Sequence, residues 1–199
     1  AQLVFEEGDT YQPAQVSESE RLLRQRDYLT AAWVGATRVC GDEVEITVLT
    51  RDTLTLFPSV GVSRSGGENT TNFGLSDPNF IGSGKSLGIS YGKDPDRTES
   101  SLYFDDPNVF GSHWQAGVLL DERSDGRGRS AYLERPFFSE TTKWRFGVRG
   151  RDDVREQSRY VGAEAIADYR RSEEFISVDG GWRLAERDDR QLRLLAGFR

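Results

Sequence analysis

The stretch "NFIGSGKSLGISYG", residues 79–92, decides between two unrelated folds. Its centre, Gly82-Ser83-Gly84-Lys85-Ser86, resembles the end of a phosphate-binding loop. Such a loop needs Gly-x-x-x-x-Gly-Lys-Ser/Thr between a strand and a helix, so that backbone N–H groups and the helix N-terminus converge on phosphate. Asn79 stands where the first glycine is required. Beyond Lys85, Leu87, Ile89 and Tyr91 alternate with Gly88, Ser90 and Gly92, a period of two that specifies a strand. The segment is therefore read as a turn followed by a strand, and no nucleotide site is expected.

The turn recurs. "DPNFIGS" at 77–83 returns as "DPNVFGS" at 106–112 and more loosely as "RPFFS" at 135–139, which places Pro78, Pro107 and Pro136 at intervals of 29 residues. That period accommodates two strands and two connections, one antiparallel hairpin per repeat. Proline cannot donate to a sheet ladder, and Asp-Pro-Asn has turn chemistry, so all three prolines belong at strand ends.

From residue 51 onward the pattern gives about ten strands, at 53–63, 70–77, 85–92, 98–105, 113–122, 129–135, 143–151, 160–169, 174–185 and 190–199, with no helix. In "KWRFGVRGR" one face carries Trp144, Phe146 and Val148, and the other carries Lys143, Arg145, Arg149 and Arg151. Short connections favour pairing of successive strands in an up-and-down meander. Alternation does not say which face looks outward. A soluble sandwich or lipocalin-like barrel hides the apolar face, whereas a membrane barrel turns it to lipid. The number of strands, the mixed charges of the polar faces, and Phe80, Phe110, Phe137 and Phe138 gathered beside the repeated turns favour the membrane barrel, the phenylalanines reading as an interfacial girdle.

Residues 1–50 differ, with 9 acidic and 4 basic residues against 24 and 22 in the remainder. Pro13 followed by Val16, Leu22, Leu23 and Tyr28 predicts a helix. "TAAWVGATRV" and "EVEITVLT" predict a hairpin turning at Cys40-Gly41-Asp42. The chain begins without Met or signal peptide and stops within a strand pattern, so an excised piece of a longer protein is expected.

Chemistry-bearing residues are few. The net charge of −7 offers no field for nucleic acid. Cys40 and His113 are the only cysteine and histidine, which leaves no disulfide or CxxC metal site within the chain and no obvious nucleophile pair. Cys40 reads as a small buried hydrophobe, and His113 as a strand residue on a polar surface. Asp105-Asp106, Asp152-Asp153, Glu173-Glu174 and Asp188-Asp189 are expected at turns. No enzymatic activity and no cofactor is expected.

Two segments together resemble a known family. "FGLSDPNFIGSGKSLGISYG" with "DDPNVFGSHWQAGV" resembles the opening barrel strands of the outer-membrane assembly superfamily of BamA and TamA, and "GDTYQPAQVSESERLLRQRDYLTAAWV…GDEVEITVLTRD" resembles the last POTRA module before that barrel. The resemblance implies a mainly β chain: the C-terminal part of an α/β POTRA module at 1–51, in the periplasm, and the N-terminal part of an antiparallel up-and-down transmembrane β-barrel at 52–199, in the bacterial outer membrane. It further implies insertion, assembly or translocation of proteins. The partners would be outer-membrane lipid, client β-barrel or secreted proteins, and periplasmic accessory proteins reached through POTRA. The family's late Val-Arg-Gly-Phe/Tyr loop motif is not matched; "GVRGRDD" at 147–153 has Arg151 in the aromatic position and reads as a strand end.

On this reading the functional surfaces are edges and faces. Leu54, Leu56, Val60 and Val62 belong to a first barrel strand whose free edge could template another strand, and Val44, Ile46 and Val48 to a POTRA strand able to do the same. Trp144, Phe146 and Val148 would face lipid, and Lys143, Arg145, Arg149 and Arg151 the lumen. A passive porin-like or ligand-transport barrel and a soluble β-sandwich binding protein are the alternatives.

Overall fold

The structure is a computed structural model that describes residues 3–162, 164–187 and 190–199. It begins with helix α1 (Pro13–Arg24), whose first turn accepts Pro13 because its N–H would be unpaired there in any case. Strands β1 (Leu29–Cys40) and β2 (Glu43–Asp52) follow as a hairpin turning through Gly41 at φ 60°. Val16 and Leu23 of the helix pack on Ala32 and Val34 of β1, with Leu3, Phe5, Leu29 and Ile46 at the margin. The unit is thus one helix on a two-stranded sheet. Ser19, fully buried, accepts the Val4 N–H at 3.1 Å and ties the N-terminal segment to the helix. Cys40 is exposed at the end of β1, not buried, because the hairpin tip extends beyond the helix.

The rest is one antiparallel sheet of nine strands in sequential order: β3 (Phe57–Ser65), β4 (Glu68–Asp77), β5 (Ser86–Lys93), β6 (Thr98–Asp106), β7 (Gln115–Arg123), β8 (Gly126–Arg135), β9 (Trp144–Val161), β10 (Glu164–Arg187) and β11 (Arg190–Phe198). The sheet is not closed; β3 and β11 are its two edges. A mainly β meander is therefore present, and the ten expected strands become nine. The segments read as 143–151, 160–169 and 174–185 form two long strands, β9 and β10. Charge density misled the sequence reading here: Asp152 pairs with Glu174 and Asp153 with Glu173 across the ladder. These carboxylates lie within strands, where neighbouring arginines offset them, and not at turns. Gly147–Asp153 likewise lies inside β9 and is no strand end. Asp188-Asp189 lies outside the described residues.

Pro78, Pro107 and Pro136 each follow the last residue of β4, β6 and β8, which brings them to the same end of the meander, here the near end. The first two loops share one conformation. Asp77 accepts the Asn79 N–H at 2.9 Å and Asp106 the Asn108 N–H at 3.0 Å. Phe80 N–H reaches Lys85 O at 2.8 Å and Val109 N–H reaches Trp114 O at 2.9 Å. Ile81 and Phe110 both adopt φ 50° ahead of Gly82 and Gly111 at φ 71° and 72°. No helix follows Lys85; β5 starts at Ser86, as the period of two requires. The third loop lacks the Asp-Pro-Asn element and takes a different course to β9.

The near end also meets the N-terminal unit. Glu18 of α1 accepts the Glu140 N–H at 3.2 Å, and Arg26 donates to Asn108 Oδ1 at 3.4 Å.

Candidate functional site: two faces and a free edge

The registers assemble continuous rows on one face of the sheet. Leu75 pairs with Ile89, Ile89 with Leu102, and Leu102 with Leu120. Further along, Leu133 pairs with Val148, Val148 with Val178, and Val178 with Phe198. These rows are solvent-exposed: Phe73 is 50 % and Ile89 54 % accessible, and Trp144 and Phe146 lie on the same open face. The rows are bounded by charge, Arg129 following Leu120 at the far end and Arg135 standing beside Phe146 at the near end; an apolar surface of this extent between them marks contact with lipid or another protein.

The other face is polar and sheltered. Gly88 and Gly117 are buried there beneath Tyr103 and Tyr132, so closely that a Cβ on either glycine would overlap the tyrosine ring. Tyr132 also donates its hydroxyl to the Asp105 carboxylate. Arg123, its side chain only 4 % exposed, pairs with Asp153 at 3.0 Å and Asp121 at 3.5 Å, and Asp153 also receives Arg151 at 3.3 Å and Arg155 at 3.0 Å. Arg145 pairs with Asp179 and Arg149 with Glu134. Arg145, Arg149 and Arg151 thus occupy the polar face as ion-paired side chains, opposite Trp144, Phe146 and Val148. Lys143 precedes β9 and belongs to the near-end loop. Because these arginines are neutralised locally, a passive pore lined by them would have little uncompensated charge with which to select anions.

This is the inverse of a soluble sandwich, which would seal its apolar face against a second sheet. Among the described residues no second sheet covers it.

The edge strand β3 pairs only with β4, from Phe57↔Ser76 to Ser65↔Glu68. Val60 and Val62 are 71 % and 74 % exposed, more than their counterparts on inner strands, because one lateral neighbour is missing. Leu54 and Leu56 precede the strand in the linker, so the free edge starts at Phe57; the apolar alternation continues upstream of the point where pairing to β4 ends. Arg64 is its one charged residue and Pro58 removes one backbone donor near its start, which leaves residues 59–63 with neither charge nor proline to block the edge. Val44, Ile46 and Val48 lie on β2, paired to Val39, Ala36 and Val34, with Ile46 packed against the small helical core.

Sequence reasoning missed the near-end aromatic belt. Trp114 makes edge contacts with Trp144 at 6.3 Å and Phe146 at 6.4 Å, and Trp182 is the register partner of Trp144. The expected phenylalanine girdle is less uniform. Phe80 and Phe110 are exposed on loops, whereas Phe138 stacks on His113 at 3.6 Å between centroids. His113 is half-buried in the bend before β7 and not on a polar strand surface; Phe138 from the next repeat covers it. The parity of Trp114, Trp144 and Trp182 relative to the apolar rows was the available signal. The tyrosine–glycine pairs had one as well, since both Gly88/Gly117 and Tyr103/Tyr132 repeat at 29 residues.

An open antiparallel meander of nine strands, with one exposed apolar face and one ion-paired polar face, has the architecture of part of an up-and-down β-barrel. No family model matches the sequence, and no curated protein is similar to it in sequence. Among solved structures, BamA from Haemophilus ducreyi, in a form lacking POTRA domains 1–3, is similar in fold, with a TM-score of 0.57 at 18 % identity over 94 % of this chain and 41 % of that one. The matched share exceeds the nine-stranded sheet and takes in part of the N-terminal unit. The chain spans less than half the length of that structure, and the likeness is one of fold.

Proposed function

We propose that this chain is part of a BamA-type outer-membrane barrel that assists insertion, assembly or translocation of β-rich proteins, with the helix and hairpin of residues 1–51 as the barrel-proximal part of a periplasmic POTRA module. The observation that carries the reading is the free, nearly uncharged edge of β3 on a sheet whose apolar face is outward. Such an edge pairs with an incoming strand through main-chain hydrogen bonds, largely independent of the client's side chains. The role is non-enzymatic: the barrel would lower the barrier to strand insertion by offering a template at the bilayer. Trp144, Phe146 and Val148 face lipid in this reading, the arginines of β9 face the lumen, and the near end is periplasmic. The ion-paired arginines favour it over a passive pore.

The test is insertion of an unfolded eight-stranded outer-membrane barrel into lipid vesicles carrying the reconstituted chain. Insertion should be faster than in empty vesicles, and Val60→Pro, which removes a backbone donor from β3, should reduce the gain. Equal rates with and without the chain, together with a steady ion conductance, would favour the passive barrel.

A further inference from the structure

At the near end, on the side of the tryptophan belt, a cavity of about 310 Å³ is lined by Val4, His113, Arg135, Phe138, Lys143 and Trp144. Its chemistry is one-sided. The Arg135 guanidinium lies 4.0 Å from the centre of the Trp144 ring and 4.8 Å from that of Phe138, and its Nη1 donates to Trp144 O at 2.8 Å. Among the described residues it has no carboxylate partner, and neither has Lys143. Burial, reinforced by positive charges that include Arg135 and Arg26, pushes the His113 pKa down, and Arg26 keeps a buried Nε with no acceptor. Glu140 is the sole acid between Arg135 and Arg145, and the ion pairs of the described residues do not join it to either Arg135 or Lys143; Arg21 is held chiefly by its hydrogen bonds to Glu18. On the wall, Ser139 and Thr142 are 3 % and 4 % exposed and share a hydroxyl contact of 3.0 Å.

Unpaired cations, two buried hydroxyls and an aromatic shelf form an anion site with an apolar flank. Arg135 shares the register row of Phe146 on the apolar face, so its charge stands at the end of the lipid-facing surface. That is where a long cationic side chain reaches headgroup phosphate while aromatic rings sit at the interface.

We propose that this cavity binds a phosphate ester anion, supplied by the headgroup of an anionic glycerophospholipid, with Arg135 and Lys143 as its charged contacts and one proton of the Ser139–Thr142 hydroxyl pair, the other being used between them, as a hydroxyl donor. The lipid source rests on the outer-membrane reading; the phosphate site does not. A lipid seated there would join the third near-end loop to the N-terminal segment through Val4 and so steady the N-terminal unit against the barrel.

Because His113 is the only histidine, its ring proton resonances report on this cavity alone. The chain in neutral detergent is titrated with dihexanoyl phosphatidylglycerol, dihexanoyl phosphatidylcholine and inorganic phosphate. Saturable movement of the His113 signals with phosphatidylglycerol, and about tenfold weaker binding in Lys143→Gln, is expected. Lys143→Arg should retain binding, which guards against a folding defect, as does unchanged strand content by circular dichroism. Saturation by inorganic phosphate as tightly as by the lipid would support the phosphate site and overturn the lipid source. No shift with any of the three, or a lipid response untouched by both Lys143→Gln and Arg135→Gln, would overturn the site itself. Failure of the barrel reading leaves the phosphate titration unaffected and appears instead as soluble behaviour without detergent.

Discussion

Lys85 Nζ lies 3.0 Å from the Asp106 carboxylate, so the lysine of the Gly-Lys-Ser sequence in the first near-end loop is held by the residue that opens the second. Asp106 at the same time accepts the Asn108 N–H. The lysine links two consecutive repeats and is not aimed at a ligand. Lys85→Ala should lower stability by only about 0–1 kcal/mol, since the lysine is partly exposed. ATP titration of the parent chain should show no binding; micromolar affinity lost in Lys85→Ala would restore the phosphate-loop reading.

A larger effect is expected where the sheet is closely packed. Gly88→Ala should destabilise by about 1–3 kcal/mol, because its Cβ meets the Tyr103 ring. Combining it with Tyr103→Ala should cost less than the sum of the two single changes. The same cycle at Gly117 and Tyr132 should behave alike. Strict additivity in urea unfolding would contradict the packing described here.

Ile81 is a β-branched residue at φ 50° and is 83 % exposed. The left-handed conformation costs such a residue about 1–2 kcal/mol, and little contact offsets it. Ile81→Gly is therefore expected to stabilise the fold by about 1 kcal/mol, read as a higher urea midpoint. A lower midpoint would show that the exposed side chain makes contacts that outweigh the strain.

Much of the architecture could be read from period and repeat. Alternation through Leu87–Tyr91 and Trp144–Val148 excluded a helix after Lys85, and the prolines marked one end of the meander. Strand ends were less legible. In β9 and β10 the dense charges of residues 152–159 and 170–174 resemble solvated turns, yet cross-strand pairing satisfies them. Leu54 and Leu56 continue an apolar alternation that pairing with β4 does not extend to cover. Cys40 was misjudged because burial in a hairpin depends on how far the covering helix reaches. The cavity at Arg135 could not be foreseen, for it joins residues from the N-terminal segment, the second loop and the third.

Contact between the N-terminal unit and the sheet should depend on pH through Glu18. Its hydrogen bond to Arg21, together with the Glu140 N–H, holds its carboxyl below the usual range despite partial burial. A depressed carboxylate pKa contributes stability that is complete above the unfolded value of about 4.3 and is lost as pH falls through the folded value. Hydrogen exchange at the Glu140 amide should therefore lose protection, relative to the intrinsic rate, as the medium is acidified through that range. Glu18→Gln should flatten the dependence. An unchanged profile in Glu18→Gln would assign the acid sensitivity to another group.

The central claim concerns which face meets lipid. Turning β9 over would set Arg149 against hydrocarbon, at about 2–4 kcal/mol for an arginine near the midplane. In a Cys40→Ser background, Val148→Cys and Arg149→Cys are reconstituted into lipid vesicles and exposed to a lipophilic and a water-soluble maleimide. Position 148 should react with the lipophilic reagent and position 149 with the soluble one. The reverse pattern, or a chain that stays soluble and folded without detergent, would contradict the outer-membrane account and return the sheet to a soluble β-protein.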